Sequence, residues 1–175
     1  DLFFSGFEEG TNAGRSRTRQ NVYRATNGLG NLLFINQGDG TFKEVAQSSG
    51  FSGESYSYGA TFVDLDQDRL PDLYVVNDYG PNSVFKNMGQ GQFKSMTFPP
   101  LTDNGQSMGL TVADITGNGA WDIYVSNMYS HAGNRIVPLT RNEFEPAAHQ
   151  EMLRLAAGNA LYTQDSSGGF SDNGQ

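Results

Sequence analysis

Four aspartates lie within a nine-residue stretch near the middle of the chain, DLDQDRLPD at residues 64–72. Asp64, Asp66, Asp68 and Asp72 occupy positions 1, 3, 5 and 9 of this stretch, the first loop. Carboxylates packed so closely repel one another unless a cation lies among their oxygens. Calcium accepts about six to eight oxygen ligands from flexible loops of this kind. The pattern therefore predicts a calcium site made by these four carboxylates and the backbone carbonyl of Leu70.

The residues on either side of the first loop favour strands. Residues 59–63 and 73–76 read GATFV and LYVV, which are rich in β-branched and aromatic side chains. An EF-hand would need flanking helices and a glutamate at position 12, and that position is Val75. The sequence thus predicts a calcium loop that joins two strands.

A second loop follows 50 residues later, at residues 114–122. Its predicted calcium ligands are the side chains of Asp114, Thr116, Asn118 and Asp122 and the carbonyl of Ala120. Only two carboxylates remain here, so we expect this site to bind calcium more weakly than the first. The alternative is a metal-free loop held by hydrogen bonds from Thr116 and Asn118.

The sequence around each loop also repeats. Residues 57–77 and 107–127 align without gaps, and residues 1–6 match the tail of such a loop and the strand after it. A period of this size indicates a solenoid or a propeller, and the strand-rich content favours a propeller. We therefore predict an all-β fold made of four-stranded antiparallel β-propeller blades, one partial and two complete.

A second shared motif alternates apolar residues with a glycine-rich turn, at residues 33–42, 84–93 and 161–170. Together the motifs resemble the FG-GAP or VCBS-type repeat of integrin-α-like calcium-binding β-propellers. The second motif is typical of bacterial members and of cartilage-acidic-protein-like chains. The resemblance implies calcium in both loops. It also implies glycine at position 6 of each loop, where this chain has Arg69 in the first and Gly119 in the second.

The repeats divide the chain, as one partial propeller over 1–175, into three segments. These are an incomplete blade at 1–50 with an insertion at 7–30, a compact blade at 51–100, and a blade at 101–175 with an insertion at 129–158. Propellers close with about four to eight blades, so we expect the chain to form part of a larger chain or assembly. The second insertion contains a predicted helix from Pro146 to Ala157, ended by Gly158, with Ala148, Met152 and Leu155 on one face.

The chain also has a cluster of arginines, a histidine on the predicted helix and a set of recurring aromatic residues. Arg15, Arg17, Arg19 and Arg24 suit a solvated loop or an anionic ligand, and His149, on the helix, is predicted to face solvent. Aromatic side chains recur at equivalent strand positions and are predicted to form the core between blades: Phe3, Phe34, Phe42, Phe62, Tyr74, Phe85, Phe93, Tyr124, Tyr162 and Phe170.

The charge and apolar content of the chain exclude some classes of function. The chain has 175 residues, a net charge of −8 and no cysteine. It lacks the basic face of a nucleic-acid-binding protein and any apolar run long enough to span a membrane. Calcium loops of modest affinity suit a calcium-rich location, so we expect an extracytoplasmic protein that is secreted, periplasmic or on the cell surface.

The predicted function is a non-catalytic, calcium-stabilised scaffold that binds a protein or glycan partner through its insertion loops. One alternative is a structural subunit completed by neighbouring chains. Another is a propeller-type carbohydrate-active lyase or hydrolase. No catalytic motif identifies a nucleophile or a general base in the sequence.

Overall fold

The computed structural model describes residues 1–6, 25, 28–51 and 55–174. These residues form three antiparallel sheets, which we call blades 1, 2 and 3 in chain order. The sheets confirm the predicted all-β class. Blade 1 holds β1 Leu2–Phe4, β2 Leu32–Asn36 and β3 Phe42–Glu44; blade 2 holds β4 Ser57–Val63, β5 Asp72–Asn77, β6 Ser83–Asn87 and β7 Phe93–Met96; blade 3 holds β8 Ser107–Ala113, β9 Asp122–Asn127, β10 Ala160–Gln164 and β11 Phe170–Asp172.

Each blade is a simple meander in which every strand pairs with the next one along the chain. The first loop joins β4 to β5, and the second loop joins β8 to β9. Residues 128–159 connect β9 to β10, at the end of blade 3 opposite to the second loop. The predicted insertion at 129–158 therefore lies on the opposite rim from the first and second loops, and we call it the rim insertion.

Strand β5 explains how the blades pack. All six of its residues are buried, because neighbouring blades cover both of its faces. Leu73 and Val75 join the apolar cluster between blades 1 and 2, whereas Tyr74 and Val76 join the cluster between blades 2 and 3. The alternation follows from the two-residue period of a strand. A strand that is covered on both faces, like β5, therefore needs an uninterrupted apolar run.

Three of the aromatic positions predicted to be core are exposed, so that part of the prediction is wrong. Phe42 and Phe62 are 46% and 44% exposed, and Tyr124 is 37% exposed. Tyr124 lies on the face of β9 that no described strand covers. Phe62 borders a space of about 440 Å³ next to Leu33 and Leu70 rather than a filled interface. Burial at these positions depends on the neighbouring blade and not on the strand alone.

The rim insertion is more helical than predicted. Helix α2 spans Pro146–Ala157, as the sequence indicated, and ends at Gly158, whose φ of 94° suits glycine. A short helix α1, His131–Ile136, and a 3-10 helix, Val137–Thr140, precede it. These two elements were not predicted.

The predicted apolar face of α2 is only partly buried. Ala148 is exposed and Met152 and Leu155 are half-buried, whereas His149 and Ala156 are buried. The prediction that His149 faces solvent is wrong, since its Nε2 lies 2.8 Å from the carbonyl oxygen of Val137. Helix α2 packs on the 3-10 helix, which turns the histidine inward.

Polar contacts also attach α2 to blade 3. The Arg154 guanidinium pairs with Asp103 and donates to the Gly158 carbonyl at 3.1 Å. The Tyr162 hydroxyl donates to the other Asp103 oxygen at 2.8 Å. Burial raises the pKa of Tyr162, and the negative charge of Asp103 raises it further, so the phenol stays protonated as a donor. The helix is therefore integrated with the blade, although a compact blade forms without one.

Most of the insertion predicted at 7–30 lies outside the described residues, including Arg15, Arg17, Arg19 and Arg24. Among the described residues, no helix is long and apolar enough to cross a membrane.

Candidate metal centre

Backbone hydrogen bonds to two aspartates shape the first loop. The two carboxylate oxygens of Asp64 accept from the backbone N–H groups of Asp68 at 3.1 Å and Arg69 at 2.9 Å. Asp72 accepts from the N–H groups of Leu65 at 3.2 Å and Asn87 at 2.8 Å. Asp64 thus holds the middle of the loop, and Asp72 links the start of the loop to β6.

Three of the predicted ligands converge in this loop. Asp64, Asp66 and Asp72 each offer a carboxylate oxygen, and these three atoms lie within 4.8 Å of one another. Asp68 is not part of this group. One of its oxygens accepts from the Leu70 N–H at 2.8 Å and the other lies 3.0 Å from the Lys86 ammonium. The structure therefore brings together three of the four carboxylates named from the sequence.

The second loop repeats the hydrogen bonds of the first. Asp114 accepts from the backbone N–H groups of Asn118 at 3.0 Å and Gly119 at 2.9 Å. Asp122 accepts from Ile115 and Thr116 through one oxygen and from Gln164 through the other, all at 2.9 Å. The aspartates at positions 1 and 9 therefore hold the backbone in both loops.

The remaining ligand candidates of the second loop are neutral. The Asn118 carbonyl oxygen accepts from the Ala120 N–H at 2.8 Å, and its amide donates to the Gln164 carbonyl at 2.7 Å. Asn118 therefore links the loop to β10. Asp114 and Asp122 supply the two negative charges of this loop, compared with four in the first.

Both loops turn through left-handed residues at positions 4 and 6. In the second loop these are Gly117 and Gly119, with φ values of 72° and 84°. In the first loop Gln67 and Arg69 adopt the same conformation, with φ values of 62° and 71°. Side chains with a Cβ atom are strained in this region. The departure from glycine thus leaves the backbone path unchanged and adds strain to it.

The buried aspartates at position 9 have opposite pKa shifts. Burial raises the pKa of Asp72, and the nearby charges of Asp68 and Asp64 add to the effect. Burial also acts to raise the pKa of Asp122, but N–H donors from Gln164, Thr116 and Ile115 outweigh it and lower the pKa. Asp72 accepts from two backbone N–H groups and Asp122 from three, so hydrogen bonding outweighs burial at Asp122 and not at Asp72.

The donor sets fit a hard divalent cation. Carboxylate, amide, hydroxyl and backbone carbonyl oxygens are the ligands that calcium takes in proteins. The convergence of three carboxylate oxygens in the first loop gives such an ion an anionic pocket of suitable size. In the second loop the same positions present oxygen donors with less charge.

Sequence reasoning missed one residue that contacts the first loop. The Lys86 ammonium, on β6, forms ion pairs with Asp66 and Asp68. A signal was available in the repeats, because the equivalent residues in blades 1 and 3 are Ile35 and Thr163. A lone lysine at a position without charge in the other repeats indicates a local role.

Exposed apolar side chains are a second feature of the rim insertion. Large apolar side chains that are 42–83% exposed cluster in this segment and just before it. We call this set the rim patch: Met128, Tyr129, Ile136, Leu139 and Phe144.

The family model for the FG-GAP-like repeat matches residues 19–75 and 64–125 of this chain. The chain is also similar to Cartilage acidic protein 1 of Xenopus tropicalis, at 24% identity over 128 residues. That alignment covers 70% of this chain and 20% of the relative, so the chain spans about a fifth of the relative's length. The two overlapping matches together cover residues 19–125, more than half of the chain. With its blades and its two matching loops, the chain belongs to the family of FG-GAP-like repeat proteins.

Proposed function

We propose that the chain is a non-catalytic scaffold outside the cytoplasm, stabilised by calcium in both loops. The observation that carries this proposal is the convergence of Asp64, Asp66 and Asp72 oxygens within 4.8 Å. Membership of the FG-GAP-like repeat family supports a repeat-built β-sheet scaffold. Extracytoplasmic calcium is plentiful enough to fill sites of modest affinity.

In the first loop the ion would be held by Asp64, Asp66 and Asp72, with Asp68 and the Leu70 carbonyl completing the set. In the second loop the ligands would be Asp114, Thr116, Asn118, Ala120 through its carbonyl, and Asp122. A bound ion supplies positive charge between the ends of two strands. We propose that the first site is the tighter one, because it has more carboxylates.

Calcium titration by calorimetry, together with thermal melts in chelator and in calcium, tests this proposal. Two unequal sites are expected, and Asp64→Asn should remove the tighter site while Asp114→Asn removes the weaker. At a calcium concentration 100 times a site's Kd, the native state gains about 2.7 kcal/mol. Glu143→Gln, on the rim insertion, removes the same charge far from both loops and should change neither site. A melt that is indifferent to chelator and to calcium would contradict the metal assignment.

We further propose that the scaffold binds a protein partner through the rim patch. The patch is apolar and exposed, and it lies on a rigid blade at the end opposite to the metal loops. Both Leu139→Asp and Ile136→Asp should reduce the amount of partner retained when the protein is isolated from its native source. The control is Met88→Asp, since Met88 is 56% exposed on a turn of blade 2. Equal retention of the partner by all three variants would contradict a protein-binding patch. So would a glycan ligand that all three variants still bind.

A further inference from the structure

Lys86 contacts the first loop from a neighbouring strand. It lies on β6, and its ammonium pairs with Asp66 and with Asp68, the second contact being 3.0 Å. The three side chains are partly shielded, at 25% exposed for Lys86, 36% for Asp66 and 34% for Asp68. Ion pairs that are partly removed from water are stronger than fully exposed ones.

Strand register shows that this lysine is specific to blade 2. Lys86 pairs with Lys94 on the next strand, and in blade 1 the corresponding pair is Ile35 and Lys43. In blade 3 Thr163 pairs with Ser171 at this position. The lysine therefore accompanies the loop with four carboxylates and not the loop with two.

The partners of Lys86 are the two carboxylates that the second loop lacks. At positions 3 and 5 the first loop has Asp66 and Asp68, whereas the second has Thr116 and Asn118. The lysine thus neutralises part of the charge that distinguishes the two loops. One of its partners, Asp66, also belongs to the group of converging oxygens.

We propose that Lys86 is an internal counter-cation that sets the calcium affinity of the first loop. This inference rests on the calcium binding proposed above. Without calcium, the ammonium screens the repulsion among the carboxylates, so the loop keeps its shape. Calcium binding is then an exchange in which the ion replaces the ammonium at Asp66, and the energy of the lost ion pairs weakens the observed affinity.

The matched variants are Lys86→Met and Lys94→Met. Methionine keeps the unbranched apolar stem and removes the charge, and Lys94 is the exposed cross-strand neighbour of Lys86. Calcium titration of Lys86→Met should show the first site tightened about tenfold, the effect of two partly shielded ion pairs. Lys94→Met should change it less than twofold. In chelator, Lys86→Met should melt at a lower temperature than Lys94→Met, because repulsion among the carboxylates is no longer screened.

A direct measure of the exchange is reductive methylation of the wild-type protein followed by mass spectrometry. The chain has three lysines, Lys43, Lys86 and Lys94, so each modification is easily resolved. In chelator, Lys86 should be methylated more slowly than Lys43. In calcium, the methylation rate of Lys86 should be several times its rate in chelator, while the rate of Lys43 should not change. Equal rates at Lys86 in the two conditions would overturn the exchange.

The outcomes separate this inference from the proposed function. If wild type binds calcium in the first loop and Lys86→Met binds it equally well, the counter-cation role is wrong and the metal site stands. If neither protein binds calcium, the proposed calcium site fails, and the exchange fails with it. If only Lys86→Met binds calcium there, the counter-cation role is supported, and the first loop of the wild type is a lysine-filled site.

Discussion

Blades 2 and 3 are two copies of one plan, and they differ in what surrounds them. Tyr74 and Tyr124 occupy the same position on β5 and β9, yet Tyr74 is fully buried and Tyr124 is 37% exposed. Leu65 and Ile115, at position 2 of the two loops, differ likewise, at 2% and 54% exposed. Blade 3 covers these residues of blade 2, whereas no described blade packs against their counterparts in blade 3. Stability in this fold is therefore a property of blade interfaces more than of single blades.

The largest expected difference between the blades comes from the paired tyrosines. Tyr74→Ala should lower the free energy of unfolding by about 4 kcal/mol, because it opens a cavity in the core. It also removes a hydroxyl that donates to the Leu101 carbonyl at 2.9 Å. Tyr124→Ala should cost about 1 kcal/mol, since its ring is partly in water. Urea unfolding of both variants measures the difference, and equal costs would show that the outer face of blade 3 is covered in solution.

A smaller difference in unfolding free energy should distinguish the aspartates that hold the loop backbone from those that only offer a metal ligand. Asp122→Ala leaves three backbone N–H groups without their acceptor and should cost about 3 kcal/mol even in chelator. Asp66→Ala is the control, because the contact described for its carboxylate is the Lys86 ammonium. It should cost under about 1 kcal/mol in chelator and more in calcium. If the two variants unfold alike in chelator, the position 9 aspartates do not hold the loops.

The smallest expected effect concerns strain at position 6. Arg69→Gly should stabilise the protein by less than about 1 kcal/mol, because relief of the left-handed strain is partly offset by the greater freedom of glycine in the unfolded chain. Gly119→Ala should destabilise it by about 1 kcal/mol. No described atom lies within 4 Å of a Cβ placed at Gly119, so the cost isolates the backbone conformation. Thermal melts in chelator compare the two, and a shift of the same sign in both would contradict equal backbone geometry in the loops.

Sequence predicted the features that local pattern determines. Strand β5, Asp72–Asn77, contains the run 73–76 that favours a strand, and helix α2 has the predicted bounds Pro146–Ala157. An apolar run, a proline start and a glycine stop are local signals. The ligation by calcium and the role of the insertions remain predictions. Helix α1 was missed because its six residues include glycine and show no apolar period.

Long-range contacts account for what the sequence could not give. His149 is buried because the 3-10 helix presents the Val137 carbonyl to it, and no local pattern specifies that contact. Lys86 meets Asp66 across 20 residues of chain, through the hairpin that places β6 beside β5. Contacts of this kind depend on strand register and packing, so they can be identified only when the pairing of the strands is known.

Strand β9 has a consequence for how an ion and a partner could influence each other. It begins at Asp122, in the second loop, and ends at Asn127, directly before the rim patch. Six residues of strand span about 20 Å, so an ion in the loop cannot bridge this protein to a partner bound at the patch. Any effect of calcium on partner binding would have to pass through the blade as thermodynamic linkage, and it would equal the effect of the partner on calcium affinity.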